Sequence, residues 1–259
     1  MISIKLAIIG IALAAIMYLG FRLGQTQINI KTRNKEKRGS CLNMTLGSGN
    51  PLGSKSRVRW ELAFKDPNIV LIHNFLSPDE CQQLIALADP LFKPSTVVGN
   101  NNNFELSKDR TSFSAPLPQG HEIVKIVEDR CASISSVPVS HMENIQAVRY
   151  TPAQFYRVHH DAIIPQTKKM QQDLVREGQR LETFFIYLND LEEGETQGTT
   201  HFPALNDLKI QPRQGTAVYW RNCMPGSETI DKRMYHAGLP PLKSIKYGLN
   251  VWTRAKPRN

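Results

Sequence analysis

The chain has 259 residues, 41% of them hydrophobic, which is enough for one sizeable core. Its formal net charge of +9 would suit a nucleic-acid binder, but residues 1–60 hold ten Lys or Arg against the single acid Glu36, and the rest carries 22 of each sign. A domain that is neutral by itself has no electrostatic ground for a phosphate-tracking groove, so nucleic acid is not expected as a partner.

The chain opens on an apolar run, Ile2 to Phe21. At about 20 residues the run has the length of a membrane-spanning helix. A cleaved signal peptide is the competing reading, but its apolar core runs to roughly 7–15 residues and ends in small residues, which Met17-Tyr-Leu-Gly-Phe21 does not supply. A single-pass anchor over 1–21 is therefore favoured. Residues 22–58 form a basic, polar stalk with no periodic apolar face. Arg22, Lys31, Arg33, Lys35, Lys37 and Arg38 follow the span directly, which by the positive-inside rule puts the domain on the cytoplasmic side. Asn43-Met-Thr45 is a glycosylation sequon, meaningful only in a lumenal domain.

The folded domain is expected over 59–255. Asn68–His73 reads as a buried strand. Ser77-Pro-Asp-Glu80 carries an N-cap, a first-turn Pro and first-turn acids, predicting a helix that ends before Pro90. Gly99–Asn103 is a loop tip. A second amphipathic helix is predicted over Gly120–Ser135, with Ile123, Val124, Ile126 and Val127 inward. Strand signals then dominate, over Gln146–Thr151, Gln154–His160, Thr183–Asn189, Gly215–Trp220 and Lys246–Arg254. Helices first and many strands after predict an α+β domain built on a sandwich or jelly roll. Cys41, Cys81, Cys131 and Cys223 have no C-x-x-C or zinc spacing, and read as small buried hydrophobes; Cys81 and Cys131 could pair in an oxidising lumen.

The chemistry-bearing stretch is Gln154-Phe-Tyr-Arg-Val-His-His-Asp161. On an extended strand His159 and Asp161 point to one face and His160 to the other. Two imidazoles and one carboxylate are the ligand set of a non-haem Fe(II) oxygenase, and His236 is the best-placed third ligand. Neutral imidazole is the ligating form, so metal binding should weaken at low pH. His73, His121, His141, His160 and His201 read as ordinary imidazoles.

The ordered motifs from Trp60 to Arg254 resemble the catalytic domain of the prolyl 4-hydroxylases, a branch of the 2-oxoglutarate and Fe(II)-dependent dioxygenases. They include Arg110-Thr-Ser112, the H-x-D of 159–161, Gly178-Gln-Arg180, Thr199-Thr-His-Phe-Pro203, Tyr235-His-Ala-Gly238 and Lys246-Tyr-Gly-Leu-Asn-Val-Trp252. The resemblance implies a double-stranded β-helix (jelly roll) with supporting N-terminal helices. It implies Fe(II) on His159, Asp161 and His236, and Lys246 on the far carboxylate of 2-oxoglutarate, with Tyr150 and Thr200 also at that co-substrate. Tyr156, Glu143, Arg180 and Trp252 look like groove residues for a proline-rich or collagen-like peptide. The implied reaction consumes O2, yields succinate and CO2, and draws on ascorbate. Membrane-anchored members face the endoplasmic reticulum lumen, against the cytoplasmic orientation that the basic tract predicts; the lumenal reading is favoured. The chain departs from the family in a longer polar segment over 162–177, expected to hold a short helix beside the site. It departs again in an expanded 194–200 and in Arg254, where some relatives use His. Asp231 resembles a family position and suits a loop-structural role as well as one behind the ligands. The loop Asn100–Asn103 is a candidate lid. The same chemistry on a lysine, another protein or a small molecule is the alternative, followed by a non-catalytic peptide-binding module.

Overall fold

A computed structural model describes residues 57–98, 104–106 and 108–258. The expected anchor, the sequon, the candidate lid and all of the stalk but residues 57 and 58 lie outside the described residues, and no helix among those described is long and apolar enough to cross a membrane.

The chain begins with an antiparallel hairpin, β1 (Arg59–Lys65) and β2 (Asn68–His73). Helix α1 (Pro78–Ala88) starts as its sequence signals require. Ser77 accepts from the Glu80 N–H at 3.2 Å, the Glu80 carboxylate accepts from the Ser77 N–H at 2.7 Å, and Pro78 fills the first turn. Short strands β3 (Lys93–Pro94), β4 (Thr96–Val98), β5 (Phe104–Leu106) and β6 (Phe113–Pro116) lead to α2 (Glu122–Ser135), which buries Ile123, Val124, Val127 and Cys131. The rest is mostly strand: β7 (Gln146–Tyr150), β8 (Tyr156–His159), α3 (Lys168–Glu177), β9 (Arg180–Tyr187), β10 (Thr200–Phe202), β11 (Leu208–Ile210), β12 (Ala217–Arg221), β13 (His236–Gly238) and β14 (Lys246–Arg254).

Two antiparallel sheets result. The larger has the order β1-β2-β12-β9-β14-β7-β6-β3 and the smaller β11-β10-β13-β8, while β4 and β5 pair only with each other. This is the jelly roll that the run of short strands predicts. The period of two along the central strands separates two cores. Phe184, Ile186, Leu249 and Val251 meet α1 and α2 on one face of the large sheet. Phe185, Tyr187, Val148 and Trp220 point the other way, between the sheets, where they meet Phe202 and Met234. The candidate site residues Tyr150 on β7 and Lys246 and Trp252 on β14 fall in the second phase, as does Thr183 on β9.

Strand boundaries shift where turn chemistry intervenes. The predicted strand from Gln154 starts at Tyr156, because the Gln154 side chain accepts from the Thr151 N–H at 2.9 Å and its own N–H donates to Thr151 O at 3.0 Å, closing a turn with Ala153 at φ 67°. β10, β11 and β13, three residues each, are too short to show a period. Cys81, Cys131 and Cys223 are free thiols, all buried, and burial pushes the Cys81 thiol up to about 12.

Candidate active site

The small sheet brings together the candidate metal ligands. β8 and β13 pair so that His159 and His236 stand directly opposite, and Asp161 follows two residues past His159, just beyond the end of its strand. The three ligand atoms lie within 4.8 Å of one another. His159 Nε2 is 3.7 Å from Asp161 Oδ1 and His236 Nε2 is 3.6 Å from Asp161 Oδ2. Each imidazole uses Nδ1 on a carbonyl two residues upstream, His159 on Arg157 O at 2.8 Å and His236 on Met234 O at 3.0 Å. A carbonyl can only accept, so both Nδ1 atoms carry the proton and both Nε2 lone pairs face the carboxylate. Burial, helped by His236, lowers the His159 imidazole to about 3. Burial alone would push the Asp161 carboxyl up, but His236, His159, Arg180 and the Thr183 hydroxyl outweigh it and hold the group at about 2. At neutral pH the site thus offers a neutral His159 and an ionised Asp161, the forms that bind Fe(II).

Behind Asp161 runs a buried relay that sequence reading missed. Trp220 Nε1 donates to Asn222 Oδ1 at 2.9 Å, Asn222 Nδ2 to Thr183 Oγ1 at 2.9 Å, and Thr183 Oγ1 to Asp161 Oδ2 at 2.8 Å. The one available signal was Thr183 itself, a hydroxyl in the inward phase of an otherwise apolar strand. With the carboxylate no longer oriented by this relay, Thr183→Val should weaken iron binding by about 10–100-fold, read by competition with a chelator. An unchanged affinity would mean that Asp161 is positioned by its ionic neighbours alone.

Deeper between the sheets sits Lys246, 1% exposed. Its Nζ donates to Gly198 O at 2.8 Å and Leu239 O at 3.4 Å, and stands 4.4 Å from the centre of the Tyr150 ring. Among the described residues no carboxylate pairs with it. Burial lowers the ammonium to about 7. A buried ammonium without an anion is a costly arrangement unless a ligand supplies the charge. Lys246 lines the same cavity of about 610 Å³ as the three metal ligands, Tyr150 and Thr200. Directly beneath, Gly248 is required: a Cβ there would lie 2.6 Å from Phe185 Cζ. The Thr200 hydroxyl is 2.7 Å from Tyr187 OH, so its expected co-substrate contact shares the group with a packing contact. The donor set, an oriented Nε2 pair, an ionised carboxylate and an anion-seeking Lys, fits Fe(II) and a dicarboxylate.

Residues 145–254 match the model of the 2OG-Fe(II) oxygenase superfamily. The chain is 34% identical over 216 residues to Prolyl 4-hydroxylase 1 of Arabidopsis thaliana, covering 77% of this chain and 73% of that one. It is 32% identical over 223 residues to Probable prolyl 4-hydroxylase 3 of the same plant, covering 78% and 74%. The chain belongs to the prolyl 4-hydroxylase family of 2OG-Fe(II) oxygenases. Its fold matches that of the viral collagen prolyl hydroxylase from Paramecium Bursaria Chlorella virus-1 solved as a 2OG complex, with a TM-score of 0.56 and 29% identity over 72% of this chain and 96% of that one.

The four residues assigned by resemblance to the prolyl 4-hydroxylase peptide groove all line the cavity. Tyr156 stacks on His159 with ring centres 3.5 Å apart, and the Arg110 guanidinium lies 4.9 Å from the Tyr156 ring. Arg180 makes two 2.7 Å bonds to Glu143, and its guanidinium covers Trp252 at 4.0 Å. Trp252 is 8% exposed and its Nε1 has no partner among the described residues. Arg254 joins this network through Glu143 Oε1 at 3.1 Å. His160 stays outside the metal set: its Nε2 donates to Asp231 O at 3.0 Å and its Nδ1 accepts from Ala162 N at 2.9 Å, which uses both nitrogens. The Asp231 carboxylate is taken up by Arg233, at 2.7 Å to Nη2, and caps the turn leading to His236.

Proposed function

We propose that this chain hydroxylates peptidyl proline to 4-hydroxyproline, consuming 2-oxoglutarate and O2 at Fe(II) and releasing succinate and CO2, with ascorbate sustaining the iron. The observation that carries the reading is Lys246, a buried cation without an anionic partner among the described residues, facing the cavity that holds the His159, Asp161 and His236 cluster. When bound, the iron and the keto acid supply the oxidising power, and the protein supplies position and a dry site. Lys246 holds the distant carboxylate, with Tyr150 and Thr200 beside it. Tyr156, Trp252, Glu143 and Arg180 receive an extended peptide, for which an aromatic-lined groove is well suited. Residues 59–255 are the catalytic unit in this reading.

The test is incubation of the purified chain with Fe(II), 2-oxoglutarate and ascorbate, together with proline-rich, collagen-like and lysine-containing peptides, each weighed for a gain of one oxygen. Oxygen on proline is the expected result. Succinate without oxygen on any peptide would keep the oxygenase and move its target elsewhere. The apolar run Ile2–Phe21 supports a membrane-anchored enzyme, and the family resemblance supports a lumenal domain. Carbonate extraction and the glycosylation state of Asn43 test the two points separately.

A further inference from the structure

This inference rests on the proline-hydroxylase reading and concerns which prolines the site accepts. Between Asp161 and Arg180 the chain makes a loop and α3, which line one side of the catalytic cavity. The segment is fastened as a wall. The Gln179 side chain clamps Ile163 at both ends, accepting its N–H at 2.5 Å and donating to its carbonyl at 2.9 Å. The end of β14 and the tail after it hold α3 itself: Arg254 Nη2 donates to Asp173 O at 3.2 Å, Lys256 Nζ to Val175 O at 2.8 Å, and Arg258 Nε to Glu177 Oε2 at 3.3 Å. Gly178, at φ +70°, closes the helix against that tail; a Cβ there would stand 2.6 Å from Ala255 Cβ.

The charged residues of this wall that line the cavity, Asp173, Arg176 and Glu177, are paired with one another or with the tail. Arg176 is 2.8 Å from both Asp173 and Glu177, and Glu177 is also met by Arg258. Beside the exposed amide of Gln166, what remains open toward the cavity is apolar: half-buried Ile163 and Met170, and Ile164 at 43% exposure. Apolar side chains left open at the edge of a catalytic cavity are available to a ligand's apolar groups.

We propose that α3 and its leading loop form a specificity wall that takes a large apolar side chain next to the target proline. An extended polyproline-type peptide has no internal hydrogen bonds and projects its side chains outward, so a neighbour of the proline can reach such a wall. Glycine there leaves Ile164 and Met170 wet. Among the described cavity-lining residues of the wall, an acidic or basic neighbour meets no unpaired charge and must lose its hydration there without return.

The test uses the full chain and short peptides with one proline, identical except for the residue before it or after it, set to Leu, Gly, Asp or Lys. Competing pairs are scored by mass. On at least one side, the Leu peptide should exceed the Gly peptide by about tenfold in kcat/KM, a typical size for discrimination by an apolar pocket, with Asp and Lys no better than Gly. The double variant Ile164→Ser/Met170→Ser should bring the Leu-to-Gly ratio down toward unity while still hydroxylating the Gly peptide. Ile164→Val/Met170→Leu should keep the ratio, which separates lost apolar surface from a disturbed fold. Equal rates for Leu and Gly in the parent, a preference for Asp or Lys, or a ratio that survives the serine variant would each overturn the wall. Succinate formation with no oxygen on any peptide would overturn the underlying reading, and the wall with it.

Discussion

Asp161→Ala is expected to stop turnover completely, with succinate and hydroxylated peptide both at background and iron content falling from near one per chain to near zero. Asp161 is the only anionic member of the cluster, and it lies under 4 Å from both imidazoles. Two imidazoles that remain cannot hold Fe(II) in a facial arrangement with open positions. The substitution also removes the acceptor at the end of the Trp220–Asn222–Thr183 relay, so the loss is one of charge and of the oriented group together. Asp161→Asn separates the two, since it keeps the shape and drops the charge. Iron should still be lost, and metal analysis after dialysis checks this. Iron retained at parent level in Asp161→Ala would place the carboxylate ligand elsewhere in the cavity, whose lining also holds Glu143, Asp173 and Glu177.

Much of this centre could be read from the sequence because it is local. The H-x-D pair sits on one short segment, and its spacing of two gives convergence without knowledge of the fold. His159 and Asp161 converge even though β8 ends at His159, so the strand argument reached the right pair on a segment that is only partly strand. His236 is different. Nothing in its own neighbourhood announces β13, a three-residue strand whose place is fixed by pairing with β8 from 77 positions away. It became visible through the order of family motifs. Lys246 likewise came from the order of family motifs; β14 is long enough to read as a strand, but its period alone does not tell an inward Lys246 from a surface one.

What stayed hidden depends on contacts that no pattern encodes. Thr183 looks like an ordinary strand residue, Asn222 like a turn residue, and Trp220 like core, yet together they orient the metal carboxylate. The 162–177 segment shows in the sequence as a length anomaly and an expected short helix. Its attachment to the tail through Arg254, Lys256 and Arg258 could only come from the fold. Those three residues look like a basic C-terminal run in the sequence, and in the fold they are fasteners.

Lys246→Met carries the second large effect, on co-substrate affinity. Among the described residues the ammonium is met by two carbonyls and no carboxylate, so a dianion that reaches it gains a buried ion pair that these residues do not make. Breaking such a pair by deleting one partner costs about 3–5 kcal/mol, so 2-oxoglutarate affinity should fall by at least about 100-fold. The pH dependence follows from burial, which brings Lys246 down from 10.5 to about 7. Between those values the unfolded chain holds one more proton than the ligand-free fold, so the stability of the ligand-free enzyme should rise with pH across that window. Binding of the dianion favours the charged form and therefore draws a proton in above pH 7. Calorimetry at pH 8.5 in two buffers of different ionisation enthalpy should show an uptake approaching one proton per 2-oxoglutarate, and at pH 6 almost none. Affinity should fall as pH climbs from 7, by up to about tenfold per unit. In Lys246→Met the proton uptake should vanish along with the affinity. Uptake that persists in that variant would assign the titrating group to another residue, and parent-level affinity would remove Lys246 from the co-substrate altogether.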